Sequence, residues 1–148
     1  MRCNSQFLRS MNSFVDKTGS MKTPVMLLLT DDNDLEELVA DALSEIGAIS
    51  HLTRDAGEAL EIICGANDLD FAVIDFEHGP HGMTLLSALS TLRNEIPVIV
   101  ITCDDEQQVK ALAYANRATA CLSKQAVATQ LANAIRELCI SKLEQVFA

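Results

Sequence analysis

Several short apolar runs in this sequence end on polar side chains that could work together. Asp31 and Asp32 follow the run 25–29, Asp75 follows 71–74, Thr102 follows 97–101, and Lys124 lies just beyond 120–122. If these ends converge, three carboxylates, one hydroxyl and one ammonium share a crevice. Carboxylates crowded together repel unless a cation sits among them, and their hard oxygens suit Mg²⁺, which prefers oxygen ligands and keeps several waters. One carboxylate can then attack a phosphoryl group and form an acyl phosphate. The metal and Lys124 would neutralise the phosphoryl oxygens during transfer, and Thr102 could donate a hydrogen bond to one of them. No apolar run leads into GxxxxGK[ST] or GxGxxG, so the two common phosphate-cradling loops are absent.

Convergence depends on the elements that carry these residues. A short run that is apolar at every position suits a strand covered on both faces, hence a parallel sheet. After the first run, Leu35, Leu38, Val39, Ala42, Leu43 and Ile46 form one helical stripe. Asn33 or Asp34 can cap its start, and Gly47 sits where a helix stops. The alternation repeats: strand 48–53, helix 56–64, strand 71–74, a Gly/Pro-rich loop 77–82, and a helix through Leu85, Leu86, Leu89 and Leu92. Strand 97–101, helix 104–115, strand 120–122 and a last helix from 125 running toward Val146 complete it. Five strand–helix pairs predict an α/β domain with a doubly wound five-stranded parallel sheet between two helical layers. In such a sheet the ligand site lies beyond the carboxyl ends of the strands, at the switch point. The five polar positions named above are all at strand ends.

With these residues in place, the chain resembles the receiver domain of bacterial two-component response regulators over roughly residues 24–140. Asp75 matches the phosphoacceptor, Asp31 and Asp32 the acidic pair that holds Mg²⁺ with it, Thr102 the switch hydroxyl and Lys124 the lysine of that family. Ala56-Gly57-Glu58-Ala59-Leu60 is similar to its G-x-E-A-L region, and Ile96-Pro97-Val98-Ile99 to its entry into strand four. The resemblance implies a flavodoxin-like (βα)5 sandwich. There are departures as well. Pro80 and Gly82 follow Asp75 at five and seven residues, where the family usually has its proline at four and its glycine at eight, so the loop reads as one residue shorter and reshaped. Cys121 stands at the aromatic switch position, and Gln125 replaces the proline after the lysine. Asn116-Arg117 replaces the usual glycine before strand five, with Asn116 expected to take the left-handed conformation. Glu77 and Asp104 occupy the variable positions that tune phosphoryl hydrolysis in the family.

The implied function is a stand-alone module that accepts a phosphoryl group on Asp75 from a histidine kinase or a histidine phosphotransfer protein. The signal would pass in trans to a downstream protein through the face of helix four, strand five and helix five, which would also serve a homodimer. Self-phosphorylation from small donors and autodephosphorylation would be its only chemistry, so it is expected not to be an enzyme. Two rivals have distinct signatures. A phosphorylation-independent interaction module would use the same face, and Cys121 and the reshaped loop suit it. A small phosphohydrolase would use Asp32-Asn33-Asp34 as a D-x-D nucleophile motif, with no task for Asp75.

Composition narrows the field. The chain has 148 residues, 49% hydrophobic and 22% charged, as in an ordinary globule with one core. A formal net charge of -10 opposes binding to nucleic acid or to an anionic membrane surface. Residues 1–23 read as a polar, flexible tail without the apolar stretch of a secretory signal, 24–143 as the receiver domain, and 144–148 as an end continuing the last helix. The five cysteines are scattered with no CxxC, which points to free thiols in a reducing, cytoplasmic setting. His78 and His81 read as solvated loop residues and His51 as structural. Crowding of carboxylates predicts that Asp75→Asn and Asp32→Asn both raise the melting temperature at low Mg²⁺.

Overall fold

Strands apolar on both faces need a helical layer on each side, and the chain supplies both. The computed structural model describes residues 23–147 except 45, 66–67, 77–79 and 104–106. In chain order the elements are β1 (Val25–Leu29), α1 (Asn33–Ala42), β2 (Ile49–Thr53), α2 (Ala56–Gly65), β3 (Phe71–Asp75), α3 (Pro80–Leu92), β4 (Val98–Thr102), α4 (Gln107–Ala115), β5 (Ala120–Ser123) and α5 (Val127–Phe147). A short 3₁₀ turn, Lys124–Ala126, joins β5 to α5. The strands form one parallel sheet in the order β2-β1-β3-β4-β5, the flavodoxin-like doubly wound topology. β1, β3 and β4 are buried along their whole length.

Side chains alternate across the sheet, so each strand feeds two cores. Met26, Leu28, Phe71, Val73, Ile99 and Ile101 pack against Leu35 and Val39 of α1 and Val127, Leu131 and Ile135 of α5. Leu27, Leu29, Ala72, Ile74, Val98 and Val100 pack against Ala59 and Ile63 of α2, Leu85, Leu86 and Leu89 of α3, and Ala113 of α4. Among the described residues no helix is long and apolar enough to cross a membrane.

Three local expectations are corrected. The first helix stops at Ala42 rather than continuing through Ile46: Leu43 caps it with φ -100 and ψ 3, and the chain tightens into i→i−3 bonds, Ser44 N–H to the Asp41 carbonyl at 3.3 Å and Ile46 N–H to the Leu43 carbonyl at 3.0 Å, before Gly47 turns out at φ +73. Before β5, Arg117 and not Asn116 takes the left-handed conformation, at φ 73. Asn116 is tied down instead: its amide nitrogen donates to the Leu112 carbonyl at 3.0 Å and its amide oxygen accepts from the Ser87 hydroxyl at 3.2 Å. Finally, Pro80 begins α3, so Pro80, His81 and Gly82 belong to a helix and not to the loop. Proline suits the first helical position, where its missing N–H costs nothing and its fixed φ is already helical.

That early start brings Gly82 against the end of β3. A β-carbon there would sit 3.0 Å from Phe76 Cδ1, 3.2 Å from the Asp75 carbonyl oxygen and 3.3 Å from Ile74 Cγ2. We expect Gly82→Val to cost about 2 kcal/mol in urea unfolding, as overpacking of a close contact does. A variant as stable as the wild type would show that α3 is free to shift away from the strand.

Candidate functional site

The strand order reverses between β1 and β3, and the chain's polar strand-end residues gather there. Leu29 of β1 is in register with Ile74 of β3, so the next residues along, Thr30 and Asp75, lie side by side. Asp75 in turn pairs with Ile101 of β4, which puts Thr102 one step beyond, opposite Ser123 of β5. Lys124 follows immediately, at the start of the 3₁₀ turn.

Asp75 and Thr102 are buried at these strand ends, as is Thr30. The Thr30 hydroxyl donates to Asp75 Oδ2 at 2.8 Å. The Thr30 hydroxyl oxygen in turn accepts from the Asp32 backbone N–H at 3.0 Å. Asp32 Oδ1 caps α1, accepting from the N–H groups of Asp34 at 3.0 Å and Leu35 at 3.4 Å. Its other oxygen accepts from the Lys124 ammonium at 2.7 Å, from the far side of the sheet. An unbroken chain of contacts therefore runs Lys124–Asp32–Thr30–Asp75. Asp31 is exposed, and its backbone carbonyl accepts from Arg54 Nη1 at 3.5 Å. Arg54 also reaches Asn33 Oδ1 at 3.3 Å and Glu36 Oε2 at 3.4 Å, tying the end of β2 to the acidic loop.

The structure thus brings Asp32, Asp75 and Lys124 into one network and leaves Asp31 at its exposed rim, with Thr102 buried at the neighbouring strand end. None of Asp31, Asp75, Thr102 and Lys124 stands without a partner. Glu77 and Asp104 lie outside the described residues. So does His78, while His81 lies in the first turn of α3. Cys121 sits half-buried on β5, in register with Val100 and facing the core under α2, α3 and α4. Burial pushes its thiol pKa up, against the pull of Lys110. Cys64, Cys103 and Cys121 carry free thiols.

Sequence reasoning missed Thr30 and Arg54. It also assigned the cap of α1 to Asn33 or Asp34, whereas Asp32 provides it. A signal for Thr30 existed: a hydroxyl between a buried strand and an acidic pair must find a partner, and parallel pairing of β1 with β3 offers Asp75.

The Lys124 hydrogen bond holds the Asp32 carboxyl below its ordinary value of 3.8, helped by the helix-start N–H groups and opposed by partial desolvation. A group whose folded value is depressed adds stability that is complete above the unfolded value and disappears as pH falls through the folded one. We expect the melting temperature of the wild type to fall more steeply than that of Lys124→Met below about pH 4, the ordinary carboxylate range. Parallel pH profiles for the two chains would rule the pairing out.

As a metal site, the donor set is chemically suitable for Mg²⁺: Asp32 and Asp75 offer hard oxygens, and Asp31 stands at the rim. Among the described residues, however, no three His, Cys, Asp or Glu side chains are grouped closely enough to hold a metal ion. Asp32 has its charge answered by Lys124, and Asp31 faces solvent.

Comparison with known proteins agrees with this fold. The model of the response regulator receiver domain matches residues 26–136. The receiver domain of the Francisella response regulator 1452 superposes with a TM-score of 0.71 at 24% identity, covering 81% of this chain and 99% of that one. A CheY-like response regulator receiver domain protein from Methanospirillum hungatei JF-1 gives 0.74 at 20% identity, covering 84% and 99%. Among curated proteins, a glycerol metabolism activator of Pseudomonas putida is 29% identical over 119 residues, or 76% of this chain. The aligned stretch spans 52% of that relative's length.

Proposed function

We propose the following function on the premise that this chain belongs to the response regulator receiver domain family, whose model matches residues 26–136. Asp75 accepts a phosphoryl group from a histidine kinase or a histidine phosphotransfer protein, and the resulting acyl phosphate switches a surface that binds a downstream protein. The observation that carries this reading is a carboxylate buried at the switch point of a parallel sheet, linked by hydrogen bonds to a lysine–aspartate pair. Burial keeps water scarce around the nucleophile, and the nearby ammonium of Lys124 can turn from Asp32 to incoming phosphoryl oxygens. Thr102, buried one residue beyond the β4 partner of Asp75, would offer its hydroxyl to the same oxygens. Asp31, Asp32 and Asp75 would hold Mg²⁺ only by drawing closer together than they stand here, with Lys124 released from Asp32, and the ion would then supply charge neutralisation to the phosphoryl group in transfer. A modified Asp75 carries more negative charge and further acceptor oxygens, and the contacts of Thr102 and Lys124 reorganise around them.

The output surface is the face of α4, β5 and α5, where Leu112 and Tyr114 of α4 are half-exposed. With Cys121 in place of a large ring, the movement reaching that face comes through Thr102 and Lys124 themselves. Incubation with Mg²⁺ and acetyl phosphate or phosphoramidate should add one phosphoryl mass to the wild-type protein and none to Asp75→Asn. Uptake retained in Asp75→Asn would assign the acceptor elsewhere. No uptake from either donor would favour the phosphorylation-independent module, and turnover of a phosphomonoester requiring Asp32 but not Asp75 would favour the phosphohydrolase.

A further inference from the structure

The Thr30 hydroxyl is buried between two fixed groups, the Asp32 N–H and the Asp75 carboxylate. A backbone N–H can only donate, so the hydroxyl oxygen accepts there at 3.0 Å and its single proton is directed onto Asp75 Oδ2 at 2.8 Å. A hydrogen bond to an ionised carboxylate is stronger than one to a neutral carbonyl. Thr30 therefore stabilises Asp75 more as a free carboxylate than as an acyl phosphate.

We propose that Thr30 is a positioning residue that holds Asp75 as the free carboxylate and shortens the lifetime of its acyl phosphate. This rests on Asp75 being the phosphoacceptor. In loading, the Asp75 oxygen not held by Thr30 bonds to phosphorus, the bond from phosphorus to the donor atom breaks (nitrogen in a phosphohistidine, oxygen in acetyl phosphate), and that electron pair leaves with the donor. Oδ2 becomes a carbonyl oxygen, and the bond from Thr30 weakens. In hydrolysis, a water oxygen bonds to phosphorus, the bond from phosphorus to the aspartyl oxygen breaks, and its electron pair returns to the carboxylate. The water proton goes to solvent. The returning charge meets a donor already in place, which lowers that barrier. Thr30 slows loading and speeds unloading.

The test uses the full chain and its Thr30→Val and Thr30→Ser variants. Each is loaded with acetyl phosphate and Mg²⁺, freed of donor, and followed by intact mass. Thr30→Val should lose its phosphoryl group roughly three- to tenfold more slowly than the wild type, a fraction of the strength of a charged hydrogen bond. It should also load faster, while Thr30→Ser keeps wild-type rates. A purely structural role would slow both steps together, so the opposite movement of the two rates is the signature. Hydrolysis in Thr30→Val at the wild-type rate or faster overturns the proposal while leaving Asp75 as acceptor. A wild-type chain that takes up no phosphoryl mass overturns both. Thr30→Cys, close in volume and a weak donor, makes the same comparison should the valine variant not fold.

Discussion

Leu131→Ala should lower the unfolding free energy by about 3 kcal/mol, the usual range for a fully buried leucine truncated in a tight core. Leu131 is fully buried on α5, within the cluster that joins α1, α5 and one face of the sheet. Its neighbours in that cluster come from strands and helices that cannot collapse independently onto the vacated space, so a cavity remains. For a domain of this size the melting temperature should fall by roughly 10 °C. Leu131→Met, which keeps the volume, should cost less than about 1.5 kcal/mol. The consequence reaches the site, because Val127, Leu131 and Ile135 anchor the helix that directly follows the turn starting at Lys124. A loss under about 1 kcal/mol for Leu131→Ala would show that α5 is loosely seated, and Lys124 would then lack the fixed base that its bond to Asp32 implies.

The architecture was legible because its signal is periodic. Short runs apolar at every position and bounded by polar turns suit strands covered on both sides, and the leucine and isoleucine stripes between them suit helices facing those strands. The strand-end positions of Asp75, Thr102 and Lys124 followed from the same alternation. What stayed hidden depends on contacts between segments far apart in sequence. Thr30 looks like any hydroxyl at a strand end until β1 is paired with β3 in a known register. Lys124 meets Asp32 only when the ends of β5 and β1 point across the same opening. Arg117 takes the left-handed conformation that asparagine usually favours, because the Asn116 amide is held by Leu112 and Ser87. Pro80 reads as a loop residue in isolation and as a helix start once Pro80–Leu92 is seen to pack on β3 through Gly82.

The same contacts reverse the sign of one sequence-based expectation. Crowded carboxylates alone predict that neutralising either Asp32 or Asp75 raises stability. The network treats the two differently. Asp32 answers the Lys124 charge and caps α1, so Asp32→Ala removes a helix cap and a charged hydrogen bond to a partly buried ammonium and should cost about 2 kcal/mol. Asp32→Asn keeps the cap and loses only the charge, so its cost should be smaller. Asp75 is 1% exposed, and an ionised carboxylate at that depth carries a desolvation cost that an amide of the same shape does not. In Asp75→Asn the side-chain amide oxygen still accepts the Thr30 hydroxyl. Asp75→Asn should therefore raise stability by about 1–2 kcal/mol without Mg²⁺ at neutral pH. Thermal unfolding in the presence of a chelator should place the two variants on opposite sides of the wild type. Asp75→Asn melting below the wild type would mean the buried charge is fully compensated, which would remove the electrostatic tension that makes this carboxylate ready to take a metal ion or a phosphoryl group.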